Sequence, residues 1–419
     1  MVAEVEAASL LLLPALLPHS KPASFRAAYR PSFEALLPRL ASGFNAQAVT
    51  TTRLDVGLVL SPSYPVHGAA SSRSSMFSAV QELLAKTYSL ICTVAAQAHV
   101  ELDFPGGVDV RLFLLELRVD QLPPDVRGKQ AVSGPIIDLA TFVSSSRHYS
   151  TIYSTEGEVG EGYLKAVISE WQSTGKSAPP VQQVPGGPVI QEAQALGNLA
   201  VQAGRERSQI HKSVAVGGTF DHLHIGHKLL LTATVLVAEP DLSDKPNQRR
   251  QITVGITGDE LLVNKKHAEL VESWDERQRK TAEFVESILV FHPDVPSIRK
   301  VEHIHEPGPN GRVVRVSYAK DLTINYTLIS DPYGPTITDK DITALVISNE
   351  TRAGGKAVND KRTEKGWKEL EVFEVDVLDA GGNDGTGDES DAEEREKQSF
   401  ENKISSTRIR RRLQERTQA

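Results

Sequence analysis

Two imidazoles, His224 and His227, close the stretch GGTFDHLHIGH (217–227), which stands between a short apolar run, Val214–Val216, and a long one, Leu229–Ala238. Glycine and histidine build cores poorly, so a strand that hands over to a helix through them looks like a site. Gly217 and Gly218 let backbone approach a ligand closely. A helix starting near Gly226 offers unpaired N–H groups and the positive end of its dipole, which together attract phosphate. A spacing of three puts both imidazoles on one face of that first turn. Their N–H groups could hold a phosphoryl oxygen as negative charge builds on it. Two plainer readings stand beside this one. The histidines could only cap the helix, or they could bind zinc. Helical zinc pairs usually sit four apart and need further ligands, so no metal ligand is assigned here.

The far end of the chain adds weight. Residues 404–412 read ISSTRIRRR. Ser405, Ser406 and Thr407 can cap a last helix. With Arg408 and Arg410 they would make a second anion site. Two anion sites at two helix N-termini, from opposite ends of one domain, suit a nucleoside triphosphate. Lys265 and Lys266 follow a second strand, and Arg352 follows the strand Leu345–Ser348. Each lies beyond the carboxyl end of a strand, where open α/β sheets bind ligands.

The elements that must position these residues alternate. A strand at Ser213–Val216 leads to a helix at Gly226–Ala238, then a strand around Ile252, Val254 and Ile256, then a helix at Asp275–Leu289. Strands fit Val313–Tyr318 or Ile324–Ile329, then Leu345–Ser348. A helix fits Gly355–Lys365 and a strand Leu370–Val377. This predicts a mostly parallel sheet with helices on both faces. The helix 226–238 is apolar almost all round, as expected of one sandwiched in a core. Residues 1–172 read as a smaller α/β domain, with strands at Asp55–Leu60 and Val108–Val119, a helix at Ser75–Ala96 and a further apolar segment at Ile136–Val143. No chemical constellation occurs in it. Residues 173–207, rich in Pro, Gly and Ser at their start, read as a linker to a second domain at 208–419. Gly175-Lys176-Ser177 matches the tail of a phosphate loop, but Glu170 stands where its first glycine belongs. Residues 379–397 are acidic and glycine-rich, with the composition of a disordered insert.

Composition narrows the class. The 419 residues carry a net charge of -8 at a pI of about 5.9, against a general nucleic-acid binder. Cys92 is the single cysteine, so a disulfide framework is excluded and a buried thiol is expected. The run LLLLPALLP is too short to span a membrane, and acids at Glu4 and Glu6 stand where a secretory leader carries bases. A soluble, cytoplasmic protein that binds no membrane is expected.

GGTFDHLHIGH together with ISSTRIR resembles the nucleotidylyltransferase superfamily that carries the T/HxGH signature. Within it the chain looks like the eukaryotic type of phosphopantetheine adenylyltransferase. VGITGDELLVNKK (254–266), ISDPYGPTITDKDITALVISNETRAGGKAVNDKR (329–362) and LEVFEVDVL (370–378) support that branch, and the resemblance covers about residues 208–415. It implies a Rossmann-like domain in which the phosphate of 4′-phosphopantetheine attacks the α-phosphorus of ATP. The products would be dephospho-coenzyme A and pyrophosphate, with no covalent intermediate and with Mg²⁺ accompanying the ATP. It implies that Thr219 and His227 hold the α-phosphate with His224 beside them. Lys265, or its rival Lys266, would neutralise charge between the substrates. Ser405, Ser406 and Thr407, with Arg410, would bind the β- and γ-phosphates, and Arg352 would lie near the nucleotide. Phe220 and Asp221 would shape the turn.

Other acceptors stay open, such as nicotinamide mononucleotide, as does cytidylyl transfer to a phosphorylated alcohol. A class I aminoacyl-tRNA synthetase also carries a His-Ile-Gly-His turn, but this chain lacks the lysine-rich loop and basic surface it would need. With no complete phosphate loop, a monofunctional enzyme is expected. The N-terminal block is similar to the extra N-terminal region of fungal and animal relatives. A scaffolding role toward other enzymes of coenzyme A synthesis is the remaining expectation for it.

Overall fold

The computed structural model describes residues 8–16, 20–42, 51–60, 72–102, 104, 106–117, 131–189, 209–241, 249–319, 321–375 and 405–418. The first apolar run folds as β1 (Ala8–Pro14), every residue of it buried. A strand covered on both faces reads as continuously apolar rather than alternating. β1 lies inside a six-stranded sheet, between β2 (Thr52–Val59) and β5 (Tyr149–Thr155). β3 (Val108–Glu116) and β4 (Ile136–Asp138) extend it on one side, β6 (Val181–Val184) closes the other, and every pairing is parallel. Its helices are α1 (Pro22–Ser42), α2 (Phe77–Gln97), α3 (Leu139–Ser144) and α4 (Glu158–Ser173). Cys92 is buried on α2.

α1 forms although it contains Pro31 and Pro38, and one expectation needs correction here. Residues 173–189, read as the start of a linker, belong instead to the first sheet's unit. Val181–Val184 pairs with β5, and the Gly187 N–H donates to Ala28 O at 3.1 Å. A Cβ on Gly187 would stand 1.7 Å from Ala27 O, so glycine is required by close backbone approach. Pro and Gly here mark an edge strand and a tight contact, not a spacer. The rest of the expected linker from 190 to 208, and the acidic insert at 379–397, lie outside the described residues.

The second sheet has seven strands: β7 (Ser213–Gly218), β8 (Arg250–Thr257), β9 (Arg299–His305), β10 (Arg312–Tyr318), β11 (Leu322–Ile329), β12 (Ala344–Ser348) and β13 (Glu371–Val375). Their order is β13-β12-β7-β8-β11-β10-β9, and β10 alone runs against the others. The chain builds outward from β7 through β8 and β11, then returns to the other side of β7 with β12. The β7–β12 boundary is therefore a topological switch point, the usual ligand crevice of such sheets. Gly217 and Gly218 end β7 at that edge. The longer helices of this unit are α5 (Ile225–Val237), α6 (Trp274–Leu289), α7 (Arg352–Glu364) and α8 (Ser406–Gln418). This is the mostly parallel, helix-flanked architecture of a Rossmann-like domain.

The all-round apolar character of α5 has a specific cause. Every residue from Lys228 to Val237 is buried, because α5 packs on its own sheet with one face and on α2 of the first unit with another. One hydrophobic cluster runs through both units. Backbone bonds also cross: Gly134 N–H to Leu289 O at 3.1 Å and Phe291 N–H to Ala131 O at 2.6 Å. The buried Arg250 guanidinium donates to Val132 O at 3.0 Å and to Val235 O at 2.7 Å. Among the described residues no helix is long and apolar enough to cross a membrane.

Candidate active site

Beyond β7 the chain folds sharply. A Cβ on Gly218 would lie 3.0 Å from the Phe220 ring, so the missing side chain lets that buried ring tuck under the strand end. Phe220 and His222 both adopt left-handed backbone, at φ 51° and 45°. Such residues cost about 1–3 kcal/mol each and persist where the surroundings over-determine them. The surroundings do so here. Asp221, fully buried, accepts the Glu272 N–H at 2.9 Å. Glu272 in turn accepts the His222 N–H at 2.8 Å, and the His222 ring bonds Leu270 O at 2.8 Å. Arg277, with no exposed surface, donates to Thr219 O at 2.6 Å, Thr257 O at 2.8 Å and Glu272 O at 2.9 Å.

His224 takes the extended position just before α5 and makes no capping bond, which sets aside the plain capping role for it. Its ring stacks on that of His227, with centroids 3.8 Å apart and planes 20° from parallel. The Phe220 ring lies 5.3 Å from His227. The Nδ1 atoms of both histidines are buried and have no hydrogen-bond partner among the described residues. Burial holds His224 well below the ordinary histidine value, and His227, His222 and Lys228 add to the effect. Burial also pushes His227 down to about 4, with His222 adding and Asp221 opposing. Both rings are therefore neutral at pH 7, each with one N–H donor and one acceptor nitrogen.

That depression has a sign. The unfolded histidines bind protons from about pH 6.5 downward while the folded ones stay neutral, so folding weakens as pH falls from 6.5 toward 4. The urea midpoint is expected to drop through that window, and to drop less in a His224→Gln/His227→Gln variant. An equally steep fall in the variant would assign the effect to other groups.

The distant C-terminal segment arrives at this turn. The Ser406 hydroxyl donates to Asp221 O at 2.9 Å across 185 positions of sequence. Arg410, 2% exposed, forms an ion pair with the Asp221 carboxylate and donates to Lys266 O at 3.1 Å and to Thr407 Oγ1 at 3.2 Å. The N-terminus of α8 is thus fastened beside that of α5. Arg410 spends its guanidinium on this fastening and so clamps the turn. Ser405 and Thr407 stand at the α8 N-terminus with partly exposed side chains. Lys265 and Lys266 project from the exposed loop after β8. Arg352 behaves differently: it pairs with Glu374 of β13, at the outer strand ends, rather than with the turn.

His222, Glu272 and Arg277 were not singled out from sequence. Ser273 and Glu276 mark the start of α6 in the manner of a capping box, and Ser273 Oγ does accept the Glu276 N–H at 3.3 Å. Nothing in that pattern tells that the arginine next along would hold a turn 58 positions upstream.

Comparison with known proteins adds the following. Residues 1–190 match a family model described as a domain of unknown function, and residues 215–412 match one described as cytidylyltransferase-like. The chain is 32% identical over 213 residues to the phosphopantetheine adenylyltransferase of Saccharomyces cerevisiae, covering 51% of this chain and 52% of that one. It is 28% identical over 167 residues to the phosphopantetheine adenylyltransferase of Methanothermobacter thermautotrophicus, covering 40% and 74%. It is 34% identical over 164 residues to an uncharacterized protein of Schizosaccharomyces pombe, covering 39% of each. The matched part thus spans about half, or less, of the two fungal relatives' lengths.

Proposed function

We propose that residues 215–412, a cytidylyltransferase-like domain, transfer the adenylyl group of ATP to 4′-phosphopantetheine. The observation that carries this reading is the bonding of Ser406 and Arg410 to Asp221, which joins the first turns of α8 to the turn leading into α5. One helix N-terminus would receive the α-phosphate and the other the β- and γ-phosphates.

An oxygen of the acceptor phosphate would attack the α-phosphorus while the bond to the bridging β-oxygen breaks. Pyrophosphate leaves and dephospho-coenzyme A forms. The catalytic demand is position and charge stabilisation at a crowded phosphorus. Neutral His227, with Thr219, would donate to the α-phosphate oxygens, and His224 would hold the His227 ring flat against its own. Lys265, in an exposed loop, would close over the charge between the two substrates, with Lys266 as its alternative. Ser405, Ser406, Thr407 and the N–H groups of α8 would receive the leaving pyrophosphate. Arg352 would reach the nucleotide only by giving up Glu374. Mg²⁺ would enter as part of the ATP substrate, with phosphate oxygens among its ligands; no group of three acidic, His or Cys side chains among the described residues is placed to hold it alone. The reaction would run in the cytoplasm, and partner enzymes of coenzyme A synthesis would dock on residues 1–172.

Pyrophosphate release tests the reading. With ATP, phosphopantetheine is expected to support turnover, nicotinamide mononucleotide is not, and CTP is expected to be a poor replacement for ATP. Turnover of nicotinamide mononucleotide without phosphopantetheine would reassign the acceptor. No release with any acceptor would remove the enzymatic reading altogether.

A further inference from the structure

We propose that the N-terminal unit is part of the active-site framework, and that Asp109 on β3 is a positioning residue for the histidine pair. The inference rests on the function proposed above but is read from a different contact. Lys228 directly follows His227 on the first turn of α5 and is 2% exposed. Its ammonium donates to Asp109 Oδ1 at 2.5 Å and to Val110 O at 3.1 Å, both in the other sheet's unit. Asp109 Oδ2 accepts from Arg111 at 2.6 and 2.9 Å, so the carboxylate is satisfied on both oxygens.

Apart from the Arg250 bond to Val235 O near its C-terminal end, the remainder of α5 is held by apolar contacts, which are non-directional. The Lys228–Asp109 pair is directional, and it acts one residue from the His227 ring. Close packing does not replace it. A cavity of about 390 Å³ lies beside the pair, lined among others by Phe104, Leu223, Phe284 and Ile409. The ionic link therefore sets the rotation of the first turn, and with it the stacking of His227 on His224. The same unit reaches the second anion helix. Glu101 accepts from Arg412 of α8, and the Arg412 guanidinium lies 5.7 Å from the centre of the Phe104 ring. Both helices of the site are thus anchored to a domain that supplies none of its reacting groups.

The test uses the full chain. Asp109→Asn is expected to lower kcat about tenfold or more, since small misplacements of catalytic groups are costly, while KM for ATP changes little. The NMR signals of the His224 and His227 rings should shift in the same variant without substrate. A second variant, Asp109→Leu/Arg111→Met/Lys228→Met, replaces all three charged partners with apolar side chains. It should recover thermal stability, as buried ionic groups often do when replaced together, yet recover neither kcat nor the ring signals. It also decides the matter if Asp109→Asn does not fold. Unchanged kcat and ring signals in Asp109→Asn, or their restoration in the second variant, would overturn the proposal. The ring signals need no turnover. A wild-type chain inactive with every acceptor would sink the proposed function and still leave this positioning measurable.

Discussion

Replacing His227 with alanine is expected to lower kcat by about 10²–10³, equivalent to about 2.7–4 kcal/mol, the usual loss when one preorganised donor to a developing negative charge is removed. The structure supplies the reasons. The ring is neutral, stacked on His224 and bordered by Phe220, so its place is fixed before any substrate arrives. Its Nδ1 has no hydrogen-bond partner among the described residues, so the substitution removes no bond of the resting fold. The chain should keep its circular dichroism spectrum and KM for ATP should move far less than kcat. Near-normal turnover in His227→Ala would strip the residue of its role. A large loss of stability would show that the stacked pair is mainly a packing device.

Arg410→Met should have the second largest effect, and it should act on both stability and substrate binding. Asp221 and Arg410 are almost wholly buried against each other. Methionine keeps the apolar stem but leaves the Asp221 carboxylate with the Glu272 N–H and no countercharge. Removing one partner of such a pair costs about 3–5 kcal/mol. The same change unfastens α8 from the turn, so the Ser405–Thr407 hydroxyls lose their position relative to the histidines. A fall in urea midpoint together with a rise in KM for ATP is expected, whereas a rise in KM is not expected for His227→Ala. If stability and KM for ATP both survive Arg410→Met, the meeting of the two chain segments is incidental to nucleotide binding.

The parts of this architecture legible in sequence were those that depend on local pattern. The β7–α5 turn declares itself by residues no core would choose, and the strands around it by short apolar runs between turn signals. The kinship of 217–227 with 404–412 was also legible, since both carry helix-start chemistry. What escaped were elements whose meaning lies in distant partners. β1 reads as an unassigned apolar run until two neighbouring strands and covering helices explain why no residue of it alternates. α1 hides behind two prolines. Val181–Val184 hides in a segment of linker composition because an edge strand needs few apolar residues. For Arg410, sequence shows its charge and not the buried carboxylate it pairs with. Nor does it show the partner of Arg352, Glu374, lying one strand further out. Arg277 and Lys228 bind backbone or carboxylates dozens to more than a hundred positions away, where no local rule reaches.

Beyond its first turn, the helix that carries the histidines has no solvent-facing side, and this bears on how such a chain can change over evolutionary time. One side of α5 belongs to its own sheet and another to α2. A recombination event that exchanged the first unit for an unrelated domain would bare an oily wall directly behind the reacting residues. In chains that keep both units, novelty is therefore expected at strand-end loops rather than by exchange of the first unit.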